Sequence, residues 1–501
     1  MTEFELKFEV PPNSFTRVAG AMQQGQVVRQ RLQARYFDTP DGALAKSGMV
    51  VRLRKEGKRW VQTAKGPTAD LLARLEHNAV ISPQPRGVVP TPDLSRHRGT
   101  PVGRAIDKVL GLKARAGYPS LELLYETDIK RVTTLVVANG SVVEMAFDRG
   151  RVFSSAATQT ICELEVELKE GLPVDAVTLA RQWRSAHGLW LSTIAKSMKG
   201  QRLGQVLPSA TVTPAAPAEY AHDASEHEVC SAVVASCLSQ ILPNMSELAG
   251  GSQHHDHIHQ LRVGLRRLRT ALQELGKLFD TSCAIGPQGA VALVSVFRAL
   301  GAHRDQGNLE RVLQPQLLAA GGPAVQWGQT DGALPEKVDV GEVVRAEDFQ
   351  DALLEMVGFL YREVPPTAKT ADNPKKLVAK RLAKLYMQAL KDGKNFLELD
   401  EAHQHGVRKS LKRLRYLIEF AKPLFGARKV NRMTAALKPV QDALGLYNDE
   451  LMALHAWRAL AADDAQAWFG IGWLTARKQS NAKRCSKLLK GLAKVKPFWR
   501  D

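Results

Sequence analysis

Residues 3 to 7 read Glu-Phe-Glu-Leu-Lys, and this strict alternation constrains the fold more than any other stretch of the chain. On a β-strand successive side chains point to opposite faces, so Glu3, Glu5 and Lys7 share one face and Phe4 and Leu6 the other. A face of paired carboxylates is costly to desolvate unless a cation sits against it, and a divalent metal among oxygen ligands is one answer. The device recurs at Glu163, Glu165, Glu167 and Lys169, alternating with Leu164, Val166 and Leu168. Two acid-faced strands at opposite ends of one segment imply a closed sheet with a charged interior, which leaves no strand edge unpaired.

Complementary charges lie between those strands at the same spacing. Arg52 and Arg54 flank Leu53, Thr63 and Lys65 flank Ala64, and Arg74 and Glu76 flank Leu75, with Arg131 and Asp148 further on. An interior lined by so many cations and carboxylates suits a polyanion and the metal bridging it, because guanidinium forks match phosphate oxygens and carboxylates hold Mg or Mn. The competing reading is a solvated face of an amphipathic sheet, which usually mixes in Ser, Thr and Gln.

In this order, Glu3-x-Glu5-x-Lys7, Tyr36-Phe37-Asp38-Thr39, Arg52-x-Arg54, Thr63-x-Lys65, Arg74-x-Glu76, Arg131, Asp148-x-Gly150, Glu163-x-Glu165-x-Glu167 and Lys196 make residues 1 to about 203 resemble the CYTH superfamily. These triphosphate tunnel metalloenzymes include inorganic triphosphatases, thiamine triphosphatases and a class of adenylate cyclases. The resemblance implies an eight-stranded antiparallel β tunnel in which Lys7, Arg52, Arg54, Lys65, Arg74, Arg131 and Lys196 grip a triphosphate. It also implies Glu3, Glu5, Asp148, Glu163 and Glu165 as metal ligands for Mg or Mn, with Lys65, Tyr36 and Glu167 as catalytic groups. The physical reading agrees, since phosphoryl transfer asks mostly for positioning and charge neutralisation.

The 501 residues, 44% of them apolar, are long enough for two or three domains. The sequence shows no apolar run of membrane-spanning length and no basic-then-apolar start of a secretory signal, so a cytoplasmic location is expected. The five cysteines, Cys162, Cys230, Cys237, Cys283 and Cys485, have no metal-type or disulfide-type spacing and read as buried thiols in a reducing compartment. Net charge is +18, of which residues 1 to 218 carry +10 and residues 219 to 501 carry +8, so each half favours polyanions in its own right. With an aromatic fraction of 6% and no aromatic-rich basic strand, nucleic acid is disfavoured.

Pro208, Pro214 and Pro217 among Ala, Ser and Thr mark a linker at residues 206 to 224, between a first domain at 1 to 205 and a second at 225 to 501. Beyond it the spacing becomes helical. His259, Arg262, Arg266 and Arg269 fall at i, i+3, i+7 and i+10, an arc of roughly 80° on a helix. The pattern returns 146 residues later at His405, Arg408, Lys412 and Arg415. Each is followed by a Leu-Gly and acid motif, Leu300-Gly301 with Arg304-Asp305 and Leu444-Gly445 with Asn448-Asp449, offset by 144 residues. The second half is thus a duplicated helical unit, with copies at about 225 to 345 and 346 to 501.

Those motifs make residues 220 to 500 resemble the CHAD domain, the conserved-histidine α-helical domain, which implies two pseudo-symmetric helical bundles facing basic residues onto a central cavity. On that basis His259, Arg262, Arg266, Arg269, Arg304, His405, Arg408, Lys412 and Arg415 are the expected polyphosphate-binding set. The stretch from Pro315 to Glu347 reads as a long connection between bundles. Like charges at i, i+4 repel, so something must offset them: either solvent with neighbouring acids, or a long phosphate chain across both stripes, with Asp305 and Asp449 pinning the arginines. His255 and His259 have the spacing of a helical metal pair, yet nothing completes a ligand set, so structural zinc is not expected.

The expected activity is metal-dependent hydrolysis of inorganic triphosphate in the tunnel, with the helical domain binding inorganic polyphosphate, in places on storage granules. The alternatives are adenylate cyclase or thiamine triphosphatase activity, or a non-catalytic polyphosphate adaptor.

Overall fold

The alternating segments become strands of one antiparallel sheet: β1 (Thr2–Glu9), β2 (Val27–Asp38), β3 (Val50–Glu56), β4 (Arg59–Pro67), β5 (Ala73–Ile81), β6 (Glu122–Ala138), β7 (Ser141–Phe153) and β8 (Thr158–Glu170). The structure, a computed structural model, describes residues 2–68, 72–85, 87–113, 117–205, 211–279, 284–325, 338–362 and 373–500. Linker residues 206–210, Cys283 and the side chains of Glu3, Arg304 and Asp305 lie outside the described ones.

The order β5-β4-β3-β2-β6-β7-β8-β1 closes where Glu3 pairs with Arg74 between β1 and β5, giving the expected eight-stranded tunnel. A two-residue strand, β9 (Trp190–Leu191), pairs with β1 beyond that point. Alternation sorts the faces as the sequence requires: Leu6, Phe8, Val51, Leu53, Leu164 and Val166 are buried on the outer face. Helices α1 (Phe15–Ala21), α2 (Ala43–Lys46), α3 (Pro101–Val109), α4 (Pro173–His187) and α5 (Lys196–Gln205) accompany the barrel. Leu44, Val102 and Ile106 from α2 and α3 pack with Met49, Val51 and Ala64 into one apolar cluster. A Cβ at Gly200 would stand 2.1 Å from the Tyr125 ring, so only glycine lets α5 lie this close to β6.

The second half is helical: α6 (Glu226–Ala249), α7 (His255–Leu275), α8 (Pro287–Asn308), α9 (Gln314–Ala319), α10 (Val340–Arg345), α11 (Glu347–Leu360), α12 (Pro374–Gly393), α13 (Glu401–Phe420), α14 (Lys422–Phe425), α15 (Ala427–Leu460) and α16 (Ala467–Leu492). The repeated stripes fall on α7 and α13, which start 146 residues apart. The expected connection from Pro315 to Glu347 is partly helix. Pro315 is the second residue of α9, which continues directly from a π-helical turn at Leu309–Leu313, and Val340 and Val344 of α10 are buried.

The chain forms two compact units: Met1–Val212 with Leu242–Ser252 and Arg345–Arg362, and Thr213–Ile241 with Gln253–Val344 and Glu363–Asp501. Two segments from the sequence's second half thus pack with the barrel. Arg181 of α4 makes a paired contact with Asp351 at 3.0 and 2.7 Å, Gln350 accepts from the Leu191 N–H at 2.8 Å, and the Tyr361 ring meets Phe4 edge-on. Helix α6 is, by length and composition only, long and apolar enough to cross a membrane, with a mean hydropathy of 1.3 over its most apolar 18 residues. Its best window is 72% buried inside the protein, as in a core helix. Cys230, Cys237 and Cys485 are buried free thiols and Cys162 is half-buried.

A polar pin outside the tunnel fixes the segment before α3. Gln62 accepts from the Asp93 N–H at 2.8 Å, so its amide nitrogen must be what faces His97 Nε2 at 2.9 Å. His97 therefore accepts at Nε2 and carries its proton on Nδ1, 2.9 Å from His77 Nδ1. Burial, with His77 and Arg96 nearby, pulls His97 down to about 4. A histidine with a lowered folded pKa leaves the unfolded chain the better proton binder, so stability is complete above about pH 6.5 and declines as pH falls toward 4. Amide exchange in β4 should report a loss of about 1–2 kcal/mol over that window, flattened in His97→Gln; equal slopes in both proteins would contradict it.

Candidate functional site

The barrel interior is a cavity of about 950 Å³ lined by Glu5, Lys7, Tyr36, Arg52, Arg54, Lys65, Arg74, Arg131, Asp148, Glu165, Glu167 and Lys196. Twelve residues expected from the sequence therefore meet in one place. Strand register explains how: Glu5 pairs with Glu167, Lys7 with Glu165, Asp148 with Glu163, and Arg131 with Asp148, so inward residues stack in rows across β1, β8, β7 and β6. One wall departs from expectation. Leu32, Ala34 and Ile129 also line the cavity, and they continue into an apolar cluster with Tyr125 and Val152, so the interior is charged on one side and apolar on the other.

Charges are matched at close range. Arg131 donates both arms to Asp148 at 2.6 Å and also bonds Glu165. The Lys196 ammonium lies 2.7 Å from Asp148, 2.6 Å from Glu165 and against Glu163. Glu163, fully buried, has Lys7 at 3.5 Å and Lys199 at 3.3 Å on its other oxygen. Burial pushes Glu163 up, but Lys196, Lys7 and Lys199 more than reverse it and hold the carboxyl at about 2. Glu5 goes the other way, raised to about 7 by burial and by Glu165. Burial pulls Lys7 below the usual ammonium range, and its ammonium also bonds the Ile194 carbonyl.

Tyr36 stacks on Tyr125 with centroids 4.6 Å apart, and Arg52 donates to its hydroxyl at 3.4 Å. Burial raises the phenol, yet Arg52, with Lys196 and Arg54, brings it below its ordinary value. Lys65 pairs with Glu76 at 2.7 Å, and Glu167 with Lys169 at 2.6 Å. Lys199, Glu9 and Glu144 join the charged network without being among the residues expected from the sequence. Lys199 bonds Glu9 at 2.6 Å, and Glu144 lies 3.4 Å from Lys169. The signal for Lys199 was its i, i+3 spacing from Lys196, which puts both on one face of α5.

Asp148, Glu163 and Glu165 each offer an oxygen, and the three lie within 4.8 Å of one another. Clustered carboxylate oxygens fit a hard divalent cation such as Mg or Mn. Among the described residues this is the one such group of three.

In the helical unit a smaller cavity of about 390 Å³ gathers His259, Arg262, Arg266, Arg408, Lys412 and Arg415 with Asp449. Both expected stripes thus contribute to one pocket. His405 is absent from that lining, and its ring is bonded to Asn448 at 2.6 Å. Arg269 lies over the Phe297 ring at 4.9 Å.

The fold and sites define a charged β tunnel joined to a duplicated basic helical domain. The chain carries a CYTH domain, matched over residues 1–199, and a CHAD domain, matched over residues 232–458. An inorganic triphosphatase of Haemophilus influenzae is 26% identical over 212 residues, which is 41% of this chain and 55% of that relative, so the chain spans just over half of its length. A solved CHAD domain from the plant Ricinus communis is 23% identical, covering 57% of this chain and 98% of its own, with a TM-score of 0.44. A Hippeastrum protein, described as an adenylyl cyclase candidate with a dominant triphosphatase activity, is 21% identical, covering 41% of this chain and 98% of its own, with a TM-score of 0.31.

Replacing Glu163 by Gln leaves Lys7, Lys196 and Lys199 without the acid they share. Breaking a buried ion pair from one side costs roughly 3–5 kcal/mol. Urea unfolding of Glu163→Gln at neutral pH should show a loss of that order in the barrel transition, whereas an unchanged midpoint would mean that the acid does not hold the lysines together.

Proposed function

We propose that the tunnel hydrolyses inorganic triphosphate to pyrophosphate and phosphate with a divalent metal, and that the helical domain binds inorganic polyphosphate. The observation that carries the first part is the single cavity in which Arg52, Arg54, Lys65, Arg131 and Lys196 stand among the carboxylates of Glu5, Asp148, Glu165 and Glu167. Hydrolysis of a phosphoanhydride needs a linear polyanion held in place and its growing charge neutralised. Guanidinium forks at Arg52, Arg54 and Arg131 suit bidentate contact with phosphate oxygens, and Lys65 and Lys196 add point charges.

Asp148, Glu163 and Glu165, with Glu5 and Glu3 proposed beside them, would hold the metal, which supplies charge neutralisation and orientation of the phosphates when bound. Glu167, in register with Glu5, is proposed to orient the attacking water, and the lowered phenol of Tyr36 is suited to handing on a proton. The family resemblance leaves thiamine triphosphate and ATP as competing substrates. Triphosphatase action on the inorganic chain is preferred because a protein described as an inorganic triphosphatase is similar to this chain over 212 residues.

Phosphate release should be compared across inorganic triphosphate, ATP, thiamine triphosphate and long polyphosphate, each with Mg and with Mn. The expected result is fastest turnover of inorganic triphosphate, abolished by chelation, and a kcat/KM lowered about 10²–10³-fold in Arg54→Ala. Formation of cyclic AMP from ATP at a higher rate would replace this reading with a cyclase.

A further inference from the structure

Pro243 of α6 lines the tunnel although it lies well beyond the matched segment 1–199. Three residues on, Ser246 is only 2% exposed and donates its hydroxyl to the Leu242 carbonyl at 2.7 Å. Its proton is then committed, and a serine hydroxyl so placed can only accept from other groups. It accepts from the Thr193 N–H at 3.0 Å and from the Thr193 hydroxyl at 3.2 Å. Residues three apart share a helix face, so one face of α6 both walls the bore and holds Thr193. The end of α6 is fixed as well. Glu247 pairs with Arg202 of α5, and Arg345 donates at 2.9 Å to the Ala249 carbonyl, one of the end groups that a helix leaves without a donor of its own.

Thr193 sits in the short loop of residues 192–195 between β9 and α5, and the course of such a loop is set by individual bonds of this kind. The loop serves two of the tunnel's ammoniums. Its Ile194 carbonyl accepts from Lys7, and it leads directly into Lys196, the first residue of α5, whose ammonium lies 2.7 Å from Asp148 and 2.6 Å from Glu165. Within the loop the Ser192 N–H donates to the Lys7 carbonyl at 2.8 Å, and the Ser192 hydroxyl accepts from the Ile194 N–H at 3.3 Å. Lys7 and Lys196 line the cavity, whereas Ser246 stands behind the loop and is absent from the lining. A serine bonding back along its own helix is ordinary, but that bond alone calls for no partner on a loop.

We infer that Ser246 is a positioning residue for the tunnel's reaction: through Thr193 it pins the loop that accepts from Lys7 and delivers Lys196, and so sets where two phosphate-facing ammoniums stand. This role rests on the reading of the bore as a triphosphate site, and it deepens that reading by adding a residue that never touches the substrate. It also gives the 242–252 segment a task beyond packing. Because Lys7 and Lys196 hold phosphate oxygens before and during the reaction alike, a loosened loop weakens binding more than it slows the chemical step.

The full-length protein should be compared with Ser246→Ala, Thr193→Val and the double variant in two measurements. The first is amide hydrogen exchange over residues 191–197 without ligand. Ser246→Ala should quicken exchange at Thr193 and Ile194 roughly three- to tenfold, the worth of one or two hydrogen bonds. The second is steady-state hydrolysis of inorganic triphosphate with saturating Mg. The KM of Ser246→Ala should rise by a similar factor while kcat changes less, Thr193→Val should show a smaller rise, and the double variant should match Ser246→Ala, since both changes delete one contact. Wild-type exchange or wild-type KM in Ser246→Ala, or losses that add in the double variant, would overturn the inference. Should Ser246→Ala not fold, Thr193→Val decides alone, with unchanged exchange and KM counting against the role. If the wild type leaves triphosphate intact while exchange quickens as expected, the clamp on the loop stands and the triphosphate reading falls.

Discussion

The barrel depends on the mutual neutralisation of side chains that strand alternation forces inward. Glu163 and Asp148 are fully buried, and Lys196 and Arg131 stand against them to offset the cost of burying carboxylates. The same cations would be untenable without the acids. Part of the cost of burial is offset by outer faces of ordinary hydrophobic character, where Leu6, Phe8, Leu53 and Val166 pack out of solvent. A barrel with an apolar jacket and a charged bore follows from a single period of two.

That arrangement bears on the proposed binding of a triphosphate. Arg131 and Lys196 already hold carboxylates at hydrogen-bonding distance, so a phosphate chain would be an alternative partner for groups already in place. Arg52 and Arg54 are a different case. They are neighbours on β3, and Arg52 with burial holds Arg54 below its ordinary value, so an entering anion relieves repulsion there. In the helical domain the Phe297 ring lies under Arg262, Arg266 and Arg269 of α7, and Asp449 and Glu419 lie beside Arg408 and Arg415 of α13.

The inward-facing site residues were legible because a strand writes its two faces into alternate positions, as in Glu3 to Lys7 and Glu163 to Lys169. The two basic helices were legible for the equivalent reason at helical spacing. What stayed hidden depends on contacts between residues far apart in the chain. Nothing local shows that Gln350 would cap the Leu191 N–H, or that residues 242–252 and 345–362 would pack with the barrel. Leu32, Ala34 and Ile129 read as ordinary core residues, and only closure of the barrel makes them a tunnel wall. Phe297 was overlooked because one aromatic in an apolar helix gives no sign of the three arginines it meets.

We propose that the charged bore holds a triphosphate and a divalent metal together. A crystal structure of the full chain soaked with Mn and a non-hydrolysable triphosphate analogue, phased for the anomalous signal of Mn, tests it directly. A Mn peak is expected beside Asp148, Glu163 and Glu165, with phosphate oxygens against Arg52, Arg54 and Arg131 inside the barrel. An analogue bound only outside the barrel, with no Mn peak among those carboxylates, would contradict it.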